Sequence, residues 1–273
     1  MERLTGRSGF ADRNTLKYIV VFLMLLDHAG YAFLPEKSTL YFCFTAVSRV
    51  TAPTMCFFLA EGYRHTRDVK RYILRLLVFA LISWVPFAHL LTGRWLPMQV
   101  LRGHLRTNEV AALYVPPLRR TLVLYPNSVI LTLLLGLLTI CLWDRGRMHW
   151  VWKSLLTLAV LYISLVGDWS YYGVLFCLIF YFLADRPRWK WSAFAAVSLL
   201  YIFNLRPSPN IFAPSFLKPE IGLAKNGIFL TVPLLEAVYN GKGGSKAPIH
   251  KWFFYIFYPL HLLVIGVIRG IVR

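Results

Sequence analysis

Apolar stretches near residues 16–35, 39–62, 71–92, 126–143, 150–167, 169–185, 191–205, 227–239 and 251–270 take up most of this 273-residue chain. A helix needs roughly 20 mostly apolar residues to cross the hydrocarbon of a bilayer, and lipid offers a spanning segment no hydrogen-bond partner beyond its own backbone. The chain is therefore expected to be an all-α integral membrane protein, a polytopic helix bundle of about nine transmembrane helices in one domain over 1–273. Hydrophobic residues make up 58% of it, against about 45–50% in soluble domains, which argues against a water-soluble enzyme. The eighth stretch is short for a span, and 93–125 reads as a long loop between spans three and four.

Basic residues orient the bundle. Arg3, Arg7, Arg13 and Lys17 precede or open the first stretch; alternate loops then hold Arg64, Arg67, Lys70 and Arg71, Arg145 and Arg147, Arg186, Arg188 and Lys190, and Lys242 and Lys246. The intervening loops around Pro35-Glu36-Lys37 and Gly167-Asp168-Trp169 are poor in Lys and Arg. This bias predicts the N-terminus inside and the C-terminus outside in a multi-pass protein of the bacterial inner membrane. The 93–125 loop, with Arg94, Arg102, Arg106, Arg119 and Arg120, falls outside in that topology; long loops obey the charge rule weakly.

The formal net charge of +18 fits contact with anionic lipid head groups or with a phosphate-bearing cytoplasmic cofactor. Nucleic acid is not an expected partner, since the charge is divided among short loops and forms no continuous face. The cysteines, Cys43, Cys56, Cys141 and Cys177, lack the close spacing of a metal site and read as small packing residues. No phosphate-binding loop, dinucleotide fingerprint, zinc-protease motif or nucleophile-elbow serine occurs.

Asp27-His28 breaks the first stretch, and ionisable groups inside a span are costly enough to mark function by default. Lys17 and His28 are eleven residues apart, close to three helical turns and roughly 16 Å, so they share a face. That geometry suits a long ligand with an anionic head at the interface and a reactive end within. Asp27 lies about 100° round the helix from His28, so it is expected to pair with another helix. Arg49, about ten residues into the second span, has a matching depth, and a purely structural ion pair is the simpler reading of that contact. Pro53 is expected to kink the same helix. Glu61 and Arg64 close the span, either as an interfacial pair or as part of a site. Tyr239-Asn240-Gly241-Lys242-Gly243-Gly244 is a glycine-rich basic loop that suits either a turn or a phosphate. His261 falls within the last span, beside Tyr255, Tyr258 and Pro259.

Several of these segments together resemble the TraX family. They are Lys17 with Asp27-His28; Arg49 through Pro53 to Glu61-Gly62-Tyr63-Arg64-His65-Thr66-Arg67; Lys70-Arg71-Tyr72; Ser83 to Phe87; Asn127 to Thr132 with Gly136; Gly167-Asp168 with Tyr172-Gly173; Tyr239 to Lys242; and Tyr255 to Leu262. The family is named for a membrane protein that N-acetylates an F-type conjugative pilin subunit. It is similar in plan to the acyltransferase 3 enzymes, whose first span carries a basic residue, ten intervening residues and a histidine, matched by Lys17 and His28.

The resemblance implies an acetyl-CoA-dependent transferase whose acceptor is a pilin subunit or, alternatively, a periplasmic glycan. It implies His28 as general base or acetyl carrier, with Asp27 and Arg49 holding the site or stabilising an oxyanion. Lys17, with Glu61, Arg64, Lys242 and His261, would bind the cofactor, and no metal is implied. A proton-coupled transporter, or a non-enzymatic component of a conjugation machine, is the reading from other classes.

Overall fold

A computed structural model describes residues 9–35, 37–102, 111–115, 120–203 and 223–272. The first apolar stretch forms α1 (Arg13–Phe33), started by Asp12, whose carboxylate accepts from the Thr15 N–H at 2.8 Å. The second is two helices, α2 (Thr39–Ser48) and α3 (Thr51–His65), broken at Arg49-Val50. The proline ring clashes with the carbonyl four residues back, and four residues before Pro53 is Arg49. The expected kink is thus an interruption at Arg49-Val50, where the backbone keeps helical dihedrals, and it leaves Arg49 at a joint between two helices.

Next come α4 (Val69–Thr92), α5 (Val129–Arg145), α6 (Trp150–Ile163), α7 (Ser170–Phe182) and α8 (Pro187–Ile202). The eighth stretch is irregular: a 3-10 turn Asn226–Leu230, a short α turn Thr231–Pro233 and a π turn Leu234–Val238. The last helix, α9, runs Pro248–Val272. Among the described residues, four segments are long and apolar enough to cross a membrane: Arg13–Phe33, Thr39–His65, Val69–Thr92 and Pro248–Val272. At 1.5 Å per residue, the 14 residues of α6 and the 13 of α7 cover only about 20 Å. α6 buries no residue against the rest of the chain.

One expectation needs correction. Part of 93–125 is a three-stranded antiparallel sheet, β1 (Met98–Arg102), β2 (Ala111–Val115) and β3 (Arg120–Leu124), in the order β1-β3-β2. Met98 pairs with Leu124 and Arg102 with Arg120, while Ala111 pairs with Leu124 and Val115 with Arg120 on the other edge of β3. Five-residue strands between arginines carry too little alternation to stand out beside helices of 20 residues. Arg106 and Arg119 lie outside the described residues.

Contacts give the helix directions. Tyr18 bonds His250 and His28 bonds His261, so α1 and α9 run the same way; Phe79 stacks on Tyr255 and Arg269 bonds the Leu90 carbonyl, so α4 joins them. Arg13 meets Glu61 and Thr51 meets the Val20 carbonyl, which makes α3 antiparallel to α1. α3, α5 and α7 run together: Cys56 bonds the Gly173 carbonyl, and Asp144 accepts from both Tyr63 and Tyr181. α5 and α7 approach so closely at Gly136 that a Cβ there would lie 2.6 Å from Cys177 Sγ. The core sits between these two sets of three helices, and so does the site.

Candidate functional site

A cavity of about 540 Å³ runs between α1, α3, α4, α5 and α9, within the size range of small-molecule sites. Its outer end lies among the start of α1, the end of α3 and the loop before α9, with Arg13, Lys17, Arg75, Lys246 and Lys251 on its wall. Its inner end holds Asp27, His28, Arg49, Asp168 and Trp169. Six cationic side chains face two carboxylates, Asp27 and Asp168, so the cavity favours an anionic ligand. Among the described residues no group of three or more His, Cys, Asp or Glu converges as metal ligands.

The inner end is tightly bonded. Arg49 donates from Nη2 to both Asp27 oxygens at 2.8 and 2.9 Å, from Nη1 to the Tyr201 hydroxyl at 3.1 Å and from Nε to the Thr45 carbonyl at 3.0 Å. Its guanidinium also lies over the Trp169 ring at 5.9 Å, and Trp169 stacks on Tyr201. The helix break allows this, because Arg49 sits at the end of α2 with its side chain free to reach α1 and α8. His28 does not bond its sequence neighbour. Its Nδ1 lies 2.9 Å from Nε2 of His261, whose own Nδ1 is 2.9 Å from the Phe257 carbonyl oxygen.

The outer end is looser. Lys17 lies over the rings of Phe58 and Phe254 at 5.7 and 5.4 Å, and among the described residues its ammonium has no ion-pair or hydrogen-bond partner. The chain before α1 is stitched to the glycine-rich loop: the Ala11 N–H reaches the Val238 carbonyl at 3.0 Å, and the Arg13 N–H reaches the Lys242 carbonyl at 2.9 Å. Gly244, at φ +71°, lets the loop turn against α1; a Cβ there would meet the Asp12 carboxylate at 2.8 Å. Asn14 ties the turn down through the Ser245 carbonyl at 2.8 Å. Asp12, beneath this turn, is held below the usual carboxylate range, chiefly by the Thr15 backbone N–H it accepts.

Lys17, Asp27, His28 and Arg49 are thus on the wall of one cavity, whereas His261 stands behind His28, bonded to it. Glu61, Arg64 and Lys242 are not on that wall. Glu61 binds Arg13 at 3.0 Å and the Tyr239 hydroxyl at 2.9 and 3.0 Å, joining α1, α3 and the loop in place of an interfacial pair with Arg64. Arg64 turns to α7, over the Tyr181 ring and onto the Tyr181 carbonyl. Lys242 contributes its backbone to the stitching, and Lys246, four residues on, faces the cavity.

Sequence reasoning passed over Arg75, His250 and Lys251, all on the wall. Arg75 carried a usable signal: it lies inside the third apolar stretch, and the cost argument that marks Asp27 marks it equally. Tyr201 and Trp169 had none, since an aromatic in an apolar helix is ordinary.

The chain matches the TraX protein family over residues 12–269. The probable fimbrial assembly protein FimC, serogroup H1, of Dichelobacter nodosus is 30% identical over 254 residues, covering 92% of each chain. No solved structure matches. With a family match that runs from the cap of α1 to the last turns of α9, this chain belongs to the TraX family.

Proposed function

We propose that this protein is an acetyltransferase of the bacterial inner membrane, with its N-terminus in the cytoplasm, that moves an acetyl group from cytoplasmic acetyl-CoA to the N-terminal amine of a pilin subunit. The observation that carries the reading is one cavity with cations at its outer end and an imidazole about three helical turns deeper. CoA has that shape: phosphates at one end, and a thin arm that ends in the thioester. Its phosphates would rest against Lys17, Arg75, Lys246 and Lys251, and the arm would follow α1 to His28. The family and the relative's name as a fimbrial assembly protein favour a pilin over a glycan as acceptor.

His28 is the general base in this reading, an imidazole titrating near neutrality in water. The amine nitrogen attacks the acetyl carbonyl carbon as His28 takes its proton; the C–N bond forms, the C–S bond breaks, and the thiolate of CoA leaves. The proton then passes from His28 to that sulfur, so the products are the acetylated amine and CoA thiol. Arg49 is held by Asp27, Tyr201 and Thr45 beside this point, where its charge favours the oxyanion.

The test is acetyl-CoA binding and slow hydrolysis by the purified protein, wild type beside His28→Ala. Binding by both, with turnover in the variant lower by about 10²–10⁴, is expected. Full activity in the variant removes His28 from the mechanism, and no binding in either removes the acetyl donor.

A further inference from the structure

The two histidines at the inner end determine each other's protons. His261 Nδ1 lies 2.9 Å from the Phe257 carbonyl oxygen. A carbonyl only accepts, so that nitrogen carries a hydrogen. A neutral imidazole has one donor and one acceptor, and Nε2 of His261 is therefore a bare lone pair. It lies 2.9 Å from Nδ1 of His28, which must be the donor. The lone pair of His28 is then on Nε2.

That second nitrogen is reachable. Among the described residues no group hydrogen-bonds to it, it is not one of the polar atoms sealed inside without a partner, and His28 lines the cavity. His261 has little freedom to turn away. Its ring is stacked on Phe257 at 5.0 Å and 11°, and Tyr258 packs edge-on at 5.4 Å.

We propose that His261 is a positioning residue that holds His28 as its Nδ1–H tautomer, leaving Nε2 as the atom that takes the acceptor's proton. The proposal rests on the reading of His28 as general base. The reverse tautomers would set the lone pair of His261 Nδ1 against that of the carbonyl. The chosen ones also survive proton transfer. When Nε2 of His28 gains its hydrogen, Nδ1–H still donates to a neutral His261, and the bond becomes charge-assisted and stronger. His261 thus does for His28 what a carboxylate does in a Ser-His-Asp triad, fixing tautomer and orientation, without a second charge in the membrane interior.

The test is the long-range ¹H–¹⁵N spectrum of the full chain labelled in its 7 histidines, recorded in detergent at a pH of about 8, where ordinary imidazoles are neutral. Signals of His28 are assigned by their loss in His28→Ala. The wild type should show a protonated Nδ1 and a bare Nε2 on His28. In His261→Leu the ring should move toward the Nε2–H form that an unconstrained histidine prefers. His261→Gln, whose amide can donate to Phe257 and accept from His28, should keep the wild-type pattern. In turnover, His261→Leu should lower kcat at least about tenfold with the KM for acetyl-CoA unchanged, and His261→Gln should restore most of it. A wild-type His28 protonated on Nε2, or a spectrum unmoved by His261→Leu, overturns the proposal; if the leucine variant does not fold, the wild-type spectrum decides alone. Because the spectrum needs no acetyl-CoA, an inactive protein with the expected tautomer would sink the acetyl-transfer reading and Nε2's part in it, and leave only His261's control of the His28 tautomer standing.

Discussion

Both ends of the cavity are built from charged residues, and the protein uses them in opposite ways. At the inner end Asp27 and Arg49 neutralise each other, and His28 and His261 share one hydrogen bond. At the outer end, among the described residues, Lys17, Lys246 and Lys251 make no ion pair with a carboxylate. Groups already bonded need no rearrangement during a reaction, which is what electrostatic preorganisation requires. Cations left without a carboxylate hold their attraction for a ligand that brings its own negative charge. In the proposed reading, chemistry belongs to the inner end and binding to the outer.

The largest effect should come from breaking the inner pair on one side. Arg49→Leu leaves the Asp27 carboxylate without its partner; the pair is only partly buried, so the loss should fall short of the about 3–5 kcal/mol of a fully buried pair. The double variant Asp27→Leu with Arg49→Leu should recover most of that stability, since an apolar pair of similar size is often neutral. It should remain inactive if Arg49 acts on the oxyanion. Thermal unfolding of the wild type, Asp27→Leu, Arg49→Leu and the double variant in one detergent reads the first claim and acetyl-CoA turnover the second. A double variant as unstable as Arg49→Leu would mean that Tyr201, Thr45 and Trp169 hold the joint, and that Asp27 is incidental to it.

Lys17→Met tests the outer end. Losing one of several phosphate contacts should raise the KM for acetyl-CoA by about tenfold, or roughly 1.4 kcal/mol, with kcat nearly unchanged. Added salt should weaken binding to the wild type and do so less in the variant, because salt screens the attraction between the cavity's cations and an anionic ligand. A fall in kcat with constant KM would move Lys17 to the chemical step and collapse the contrast between the two ends.

How far the sequence discloses these ends differs as well. The Asp27–Arg49 contact and the shared face of Lys17 and His28 follow from depth and from helical period, which are local quantities. Among the described residues, the positions of the long helices follow from hydropathy in the same way. The His28–His261 bond joins residues 233 apart, and nothing in either neighbourhood names the other. Glu61 illustrates the limit. Its nearest opposite charge in sequence is Arg64, but α1 brings Arg13 to it and the loop brings Tyr239, so proximity along the chain points to the wrong partner. The sheet at 98–124 was hidden by its short strands, and the break at Arg49 was visible only in part, through Pro53.

The glycine-rich loop gives a smaller test. Gly244→Ala puts a Cβ at positive φ and 2.8 Å from the Asp12 carboxylate, a strain of about 1 kcal/mol or more. The loop carries Lys246 into the cavity wall, so the variant should raise the KM for acetyl-CoA without touching the inner end. Unchanged binding would mean that Lys246 takes no part, and the proposed phosphate contacts would then reduce to Lys17, Arg75 and Lys251.

The smallest effect is expected at Asp12, and its sign can be worked out in advance. The Thr15 N–H holds the Asp12 carboxylate below its ordinary range when folded. A group whose folded pKa is depressed adds stability above its unfolded pKa, near 3.9, and loses it as pH falls through the folded value. Asp12→Asn keeps the cap, because Asn serves about as well as Asp at that position, and removes only the charge at the helix start. At neutral pH the variant should differ by no more than about 0.5 kcal/mol. The two stability curves should converge only as the pH falls through that depressed folded value, where the wild-type carboxylate is protonated too. Curves that run parallel through that range would show that Asp12 acts through its shape alone, as one more fixed part of the scaffold beneath the loop.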